Sequence, residues 1–299
     1  MPRMSKIRDK MGRGEFILTA EIVPPLSASP DALLEEAAML GSRIDAINVT
    51  DAAAGRTTMS SFASAALLAA NGYEPILQIT CRDRNRIALA GDLIGAAAQG
   101  IENLLLLRGD DPKGGDQPDA MPVFDLETAD LMKLAQTMRD EGVLPSGRAI
   151  DPPPRFFIGG ADVPRVPDDK WSPEPLKRKI DGGAGFMQTQ FCFDLDVARQ
   201  YFARLRKEGI TDKVGIIIGV GPIRSAKSAR WMNENLFGVH VPEATIERLE
   251  AAEDQAAEGR AICVELIEGL RDMPGPAGAH LMAPAQGTRA IAQVLQSLS

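Results

Sequence analysis

The sequence, 299 residues long, predicts a single closed (β/α)8 barrel, a TIM barrel with extra helices before its eighth strand. Three observations carry that prediction. Short apolar, β-branched runs recur along the chain, helical patterns separate them, and no shift in composition divides the chain in two. Strands alternating with helices build βαβ units and a parallel sheet, and runs such as Leu104–Leu107 suit strands buried on both faces. Eight such units, with no GxGxxG turn after the first strand, favour closure over an open doubly wound sheet.

Residues 1–14 are charged and read as an N-terminal arm or helix ahead of one domain spanning 1–299. The first strand is expected at 16–22 (FILTAEI), followed by a helix over 29–41. That helix opens Ser29-Pro30-Asp31, a capping residue and a proline suited to a first turn, and aligns Leu33, Leu34, Ala37, Ala38 and Leu40. Strand 45–50 leads to a helix over 60–70, strand 75–80 to a helix over 84–98, and strand 103–108 to a helix over 126–141. Strand 155–160 leads to a helix over 174–182, and strand 186–191 to a helix over 195–207. Strand 213–220 leads to a helix over 225–235, then an insertion over 241–271 that reads as extra helices. Strand 278–283 and a helix over 286–298 complete the eighth unit. Long Gly/Pro/Asp-rich stretches at 110–125 and 161–173 follow strands four and five, where barrel enzymes place their sites.

Composition removes several function classes. The balance of 33 basic to 41 acidic residues gives a net charge of −8, which argues against a nucleic-acid surface. His240 and His280 are far apart and outside any HExxH spacing, which argues against a histidine-based zinc site. Cys81, Cys192 and Cys263 form no CxxC motif and read as reduced thiols. Neither a membrane span nor an apolar signal core is evident, so a cytoplasmic protein without a membrane partner is expected.

Polar residues at strand ends mark the candidate chemistry. Glu21, followed by Ile22-Val23-Pro24-Pro25, closes an apolar strand. Partial removal from water suits a carboxyl there to general-acid work, although a solvated strand-end glutamate fits the same pattern. Arg108-Gly109-Asp110-Asp111-Pro112 ends strand four, where Gly109 permits close approach to a flat ligand and Asp110 can fix a ring N–H pattern. Alternation puts Gln188 and Gln190 on one face of strand six, either to meet a bound heteroaromatic ring or to form a satisfied polar core layer. Lys177-Arg178-Lys179, placed at the start of its helix, could meet a pyrophosphate or form a solvated face. Gly219-Val220-Gly221-Pro222 reads as a barrel loop and Cys81 as structural.

Taken in order, several motifs resemble the methylenetetrahydrofolate reductase family, whose members are flavoprotein (β/α)8 barrels. They are Ala20–Pro25, Val49-Thr50, Thr80-Cys81, Leu107–Asp110, the stretch from Leu176 to Asp194, Gly219–Ile223 and Val241-Pro242. The resemblance covers residues 14 to 299 and is most specific at strand four and between Leu176 and Asp194. It implies FAD-dependent transfer of hydride from NADH or NADPH to 5,10-methylenetetrahydrofolate, giving 5-methyltetrahydrofolate by a ping-pong sequence. That places the chain in one-carbon metabolism and methionine biosynthesis, as an expected homo-oligomer. Glu21, Asp110 and Gln190 are the implied catalytic residues, and Glu21, Asp110, Gln188 and Gln190 the implied folate contacts. The implied cofactor contacts are Thr50, Gln78, Arg108, Gly109, Asp110, Gly159, Gly160, Arg178 and Lys179. Where many members carry a histidine after strand three, this chain has Gln78. The strand-five loop Gly159–Pro164 has neither Tyr nor His, strand eight reads Leu281-Met282-Ala283-Pro284, and Ala226–Ala229 lacks an aromatic. A pterin-binding methyltransferase barrel without flavin and a non-catalytic subunit of a folate redox complex are the rival readings.

Overall fold

A computed structural model describes residues 5–284 and 286–298. Eight parallel strands close in chain order: β1 (Ile17–Ile22), β2 (Ala46–Val49), β3 (Pro75–Thr80), β4 (Asn103–Leu107), β5 (Phe157–Asp162), β6 (Ala184–Phe191), β7 (Gly215–Val220) and β8 (Pro276–Leu281). Closure is made by β8 pairing with β1, with Thr19 opposite His280. The helices are α1 (Lys6–Gly12), α2 (Asp31–Leu40), α3 (Ser61–Ala70), α4 (Arg86–Ala98), α5 (Thr128–Asp140), α6 (Glu174–Asp181), α7 (Leu195–Lys207), α8 (Ala226–Asn235), α9 (Glu243–Ala251), α10 (Gln255–Arg271) and α11 (Thr288–Ser297). The TIM-barrel expectation holds, and α9 and α10 are the helices inserted before the eighth strand.

Three local departures have physical causes. Helix α2 starts at Asp31, and Ser29 Oγ accepts from the Asp31 amide at 3.2 Å instead of capping the helix from its own position. Strand β5 starts two residues late, at Phe157, whose amide donates to the Glu102 carbonyl at 2.7 Å, while Arg155 just before it is held by the Glu102 carboxylate at 2.7 Å. Helix α6 starts at Glu174 as expected, but the basic run lies in its second half rather than at its start, with Arg178 and Lys179 in the last turn, where basic residues suit the helix dipole.

Alternation along the strands layers the lumen. Ile17, Ala46, Ile76, Leu105, Phe157, Phe186 and Ile217 form an apolar bottom layer, into which α1 inserts Ile7. Lysines 6 and 10 of that helix hold Asp45, at 3.1 and 3.0 Å, below β2. Two residues further along the strands the lumen turns polar, with Thr19, Asn48, Gln78, Gln188 and His280 all buried. One more alternation brings Glu21, Thr50 and Thr80 to the C-terminal mouth. Hydrophobic outward faces, such as Ile47, Leu104, Met187 and Ile218, pack beneath the helices.

Candidate active site

At the mouth, Glu21, Thr50, Asp51, Ala53, Gln78, Thr80, Leu107, Arg108, Gly109 and Asp110 line one cavity of about 310 Å³. Glu21, Thr50, Gln78, Arg108, Gly109 and Asp110, expected from sequence to serve substrate or cofactor, therefore meet in one place. They come from the ends of four consecutive strands.

The lumen beneath Glu21 is a hydrogen-bonded polar layer. His280 Nδ1 lies 2.9 Å from Thr19 Oγ1 and 3.4 Å from Gln188 Nε2, which also donates to Thr19 at 3.2 Å. On its other side the ring presents Nε2 to the Glu21 carboxylate at 3.9 Å and to Asn48 Nδ2 at 3.5 Å. The imidazole is 2% exposed, whereas Glu21 keeps 20% of its side chain open to the mouth. Asn48 Oδ1, Thr50 Oγ1 and Gln188 Oε1 are buried with no bonding partner among the described residues. Three unpaired polar atoms around one lumen suit a ligand rich in N–H and ring-nitrogen groups.

The opposite wall is braced by charge. Asp51 accepts from Ser61 Oγ at 2.9 Å, from the Thr80 amide at 2.8 Å and from an Arg84 fork at 2.8 and 3.0 Å. Burial alone would raise the Asp51 pKa; the Arg84 fork and the Thr80 bonds outweigh it and hold the group below its ordinary value. Asp110 accepts from the Ala54 amide at 2.7 Å through one oxygen. Gly109 has φ +93°, and a Cβ there would come within 2.9 Å of Arg82 Cβ and 3.0 Å of Thr80 Cβ, so only glycine lets strands β3 and β4 end this close. Arg108 turns outward, with its guanidinium 4.2 Å from the centre of the Phe124 ring and 3.7 Å from Glu127.

The remaining expected residues lie outside that cavity. Gln188 sits beneath it in the polar layer. Gln190 is on the rim, donating to the Phe237 carbonyl at 3.3 Å and accepting from the Phe191 amide at 3.0 Å. The space left by Gly159 is filled by the Phe186 ring, and that left by Gly160 by Met132, Met187 and Lys179. Lys179 donates to the Ala161 carbonyl, and burial lowers its pKa against the pull of Asp162. Tyr201 donates to that Asp162, whose own pKa burial raises. Cys81 is buried and pushed up to about 11 by desolvation, as befits a structural thiol. No group of three or more His, Cys, Asp or Glu side chains among the described residues is arranged to hold a metal ion. Nor is any described helix long and apolar enough to cross a membrane.

Sequence reasoning missed Asp51, Thr80, Arg82, Arg84 and His280. The signal for His280 lay in strand alternation: it stands two residues after Gly278, which pairs with Ile217 of the lumen layer. The signal for the arginines was their spacing after β3, at every second position from Arg82 to Arg86.

Comparison with known proteins gives the chain's family. A Caenorhabditis elegans protein named probable methylenetetrahydrofolate reductase (NADPH) is 28% identical over 251 residues, covering 81% of this chain and 35% of that protein. The 5,10-methylenetetrahydrofolate reductase of Salmonella typhimurium is 28% identical over 214 residues, covering 67% of this chain and 64% of that protein. The chain thus spans about a third to two thirds of the length of these relatives. Among solved structures, a Clostridium thermocellum protein that binds two copies of 5-methyl-5,6,7,8-tetrahydrofolic acid superposes with a TM-score of 0.63 at 15% identity, over 97% of each chain. DmoA from Hyphomicrobium sulfonivorans superposes with a TM-score of 0.59 at 12% identity, over 95% of this chain and 87% of its own. At these identities both structures show the fold. The model of the family described as methylenetetrahydrofolate reductase matches residues 6–298, and the chain belongs to that family.

Proposed function

We propose that this chain reduces 5,10-methylenetetrahydrofolate to 5-methyltetrahydrofolate with NADH or NADPH, using FAD in a ping-pong sequence. The observation that carries this reading is the convergence of Glu21 from β1 and Asp110 from β4 on one cavity, above a buried polar layer with unpaired atoms. The folate bound by the Clostridium thermocellum protein of the same fold supports the substrate class.

The residues present fit a flavin ring. Thr50 offers an unpaired buried hydroxyl, Gln78 an amide, and Gly109 a wall without a side chain. FAD supplies a two-electron carrier that takes hydride from the nicotinamide and gives it to the folate. Arg178 and Lys179 are the proposed pyrophosphate contacts, with Arg108 beside them in the cofactor set; Gly159 and Gly160 could add only backbone, because side chains fill the space above both, and Lys179 would exchange its bond to the Ala161 carbonyl for the phosphate.

Glu21 is assigned the proton. Opening the methylene bridge to an iminium requires protonation of the departing amine, and Glu21 is partly open to the mouth while its other side meets the His280 ring. The His280 ring backs the carboxyl from its buried side, and Thr19 and Gln188 hold the imidazole from behind. Asp110 spends one oxygen on the Ala54 amide, and the other accepts from the amino-pyrimidine edge of the pterin. Gln188 and Gln190 receive the remaining polar edges of folate or nicotinamide. A cytoplasmic homo-oligomer belongs to the same reading.

The direct test is the absorbance spectrum of the purified chain, before and after anaerobic NADH or NADPH and then methylenetetrahydrofolate. A flavin band that bleaches with the nicotinamide and returns with the folate is expected. A colourless protein that neither binds added FAD nor turns over overturns the reading.

A further inference from the structure

The segment after β3 reads Cys81-Arg82-Asp83-Arg84-Asn85-Arg86, and its three arginines reach three different places. Arg84 forks onto Asp51, after β2, and its Nε also meets Asp92 of α4 at 2.9 Å. Arg86 forks onto Asp125, at the end of the loop that follows β4, at 2.8 and 2.9 Å. Arg82 turns inward. Its side chain is 3% exposed, and its Nη1 donates to the carbonyls of Ala52 and Asp110 at 3.2 and 3.3 Å. Its Nε and Nη2 rest on the two oxygens of Asp83, both at 2.7 Å, so the buried charge is paired. Its own carbonyl accepts from the Val123 amide at 2.7 Å.

The backbone on which Arg82 acts is strained. Ala52 has φ 49° and ψ 56°, and Ala54 has φ 55° and ψ 25°; both are left-handed conformations that alanine disfavours. Such a conformation persists only where its surroundings over-determine it. Here the Ala52 carbonyl is held by Arg82 and the Ala54 amide by the Asp110 carboxylate, while the Asp110 carbonyl is held by the same Arg82 nitrogen. The result is a closed circuit of Arg82, Ala52, Ala54 and Asp110. Further out the same two loops touch at Gly55 and Gly115, where a Cβ on Gly115 would fall 1.9 Å from the Gly55 carbonyl.

We propose that Arg82 is the positioning residue of this site: by clamping two carbonyls at once it fixes the Asp110 carboxylate and the Ala52–Ala54 turn as one wall. The inference rests on the reading that Asp110 meets the folate. Arg82 touches no substrate. Only a planar guanidinium can serve two carbonyls and a carboxylate from one buried position; a lysine ammonium is a single point charge with no such fork. A shift of about 1 Å in a positioning group costs roughly 10²-fold in rate.

The test compares Arg82→Lys, Asp110→Asn and the double variant in each half-reaction by stopped flow. Arg82→Lys should slow flavin reoxidation by methylenetetrahydrofolate by roughly 10–100-fold while leaving reduction by the nicotinamide within about threefold. In the Asp110→Asn background it should add less than about threefold, because both changes then act through one carboxylate. Asp83→Asn, which keeps both carbonyl bonds and leaves an amide oxygen for the guanidinium, should hold the folate rate within about threefold of the parent, although Arg82 itself is only 3% exposed and some stability is lost with its partner. Amide hydrogen exchange over residues 52–58 gives a readout independent of turnover and should speed up by about tenfold or more in Arg82→Lys. Equal loss in both half-reactions, additive losses in the double variant, or unchanged exchange would each overturn the role of Arg82. A parent chain that never reduces the folate overturns the functional reading instead, and the exchange measurement then still decides whether Arg82 fixes the turn.

Discussion

The two halves of the barrel mouth are built from different materials. Strands β1 to β4 end in charge and strain: Glu21, the Asp51–Arg84 fork, Arg82 and two left-handed alanines. Strands β5 and β7 are rich in small residues toward the mouth, with Gly159, Gly160 and Ala161, then Gly219 and Gly221 just beyond β7. There the chain's own side chains and carbonyls take the space: the Phe186 ring covers Gly159, and a Cβ on Gly221 would lie 2.0 Å from the Met282 carbonyl. The comparison teaches a division of labour. The first half gathers the carboxylates and arginines that line or brace the mouth cavity, while the second half packs closely on its own glycines and turns neutral amides, Gln188 and Gln190, and the His280 ring toward the lumen.

The largest test of that division falls on Glu21. In Glu21→Gln, which keeps the shape but not the proton, the folate half-reaction should fall by roughly 10²–10⁴-fold while flavin reduction stays near the parent rate. Stopped-flow traces of the separate half-reactions check it, and equal reoxidation rates would move the acid elsewhere.

Next in size is a stability effect in the same half. Arg84→Met leaves Asp51, 5% exposed, with its buried charge uncompensated and should cost about 3–5 kcal/mol in urea unfolding. The pH dependence follows from the same pair. Because the folded-state pKa of Asp51 is held below its ordinary value, its contribution is fully present above that ordinary value. It is lost as pH falls through the depressed one. Urea midpoints of the parent should therefore drop on acidification below about pH 4, and Asp51→Asn should flatten that drop.

In the second half, Gly221→Ala drives a methyl into the Met282 backbone carbonyl and should cost about 1–3 kcal/mol, with little change in the ratio of the two half-reaction rates. A selective loss of folate reduction there would erase the contrast between the halves. The smallest effect is expected from Ala54→Gly. Relief of the left-handed strain and the greater entropy of an unfolded glycine oppose each other, so thermal unfolding should shift by within about 0.5 kcal/mol.

How far all this was legible depended on distance along the chain. Helix α7 begins at Leu195 and ends at Lys207 as the apolar spacing predicts, and β3 spans Pro75–Thr80 as its β-branched run predicts. Glu21, Gln78 and Asp110 could be singled out because each sits at or near the end of a readable strand. Their partners could not. Thr19 and His280 are joined only when β8 closes on β1, and Arg82 meets Asp110 only through the pairing of β3 with β4. Arg178 and Lys179 show the converse: the basic run and the helix start at Glu174 were both visible, but the helix ends at Asp181, after only 8 residues, which leaves the run in its last turn rather than its first.

Helix α1 gives the barrel a floor. With Ile7 seated in the bottom apolar layer, the described residues plug the lumen at that end, and Glu21 and Asp110 face the door at the other. Under the proposed activity, reductant and oxidant must use that door in turn, each waiting for the other to leave. Traffic through one entrance then dictates the order of events, and an excess of either visitor should obstruct the other.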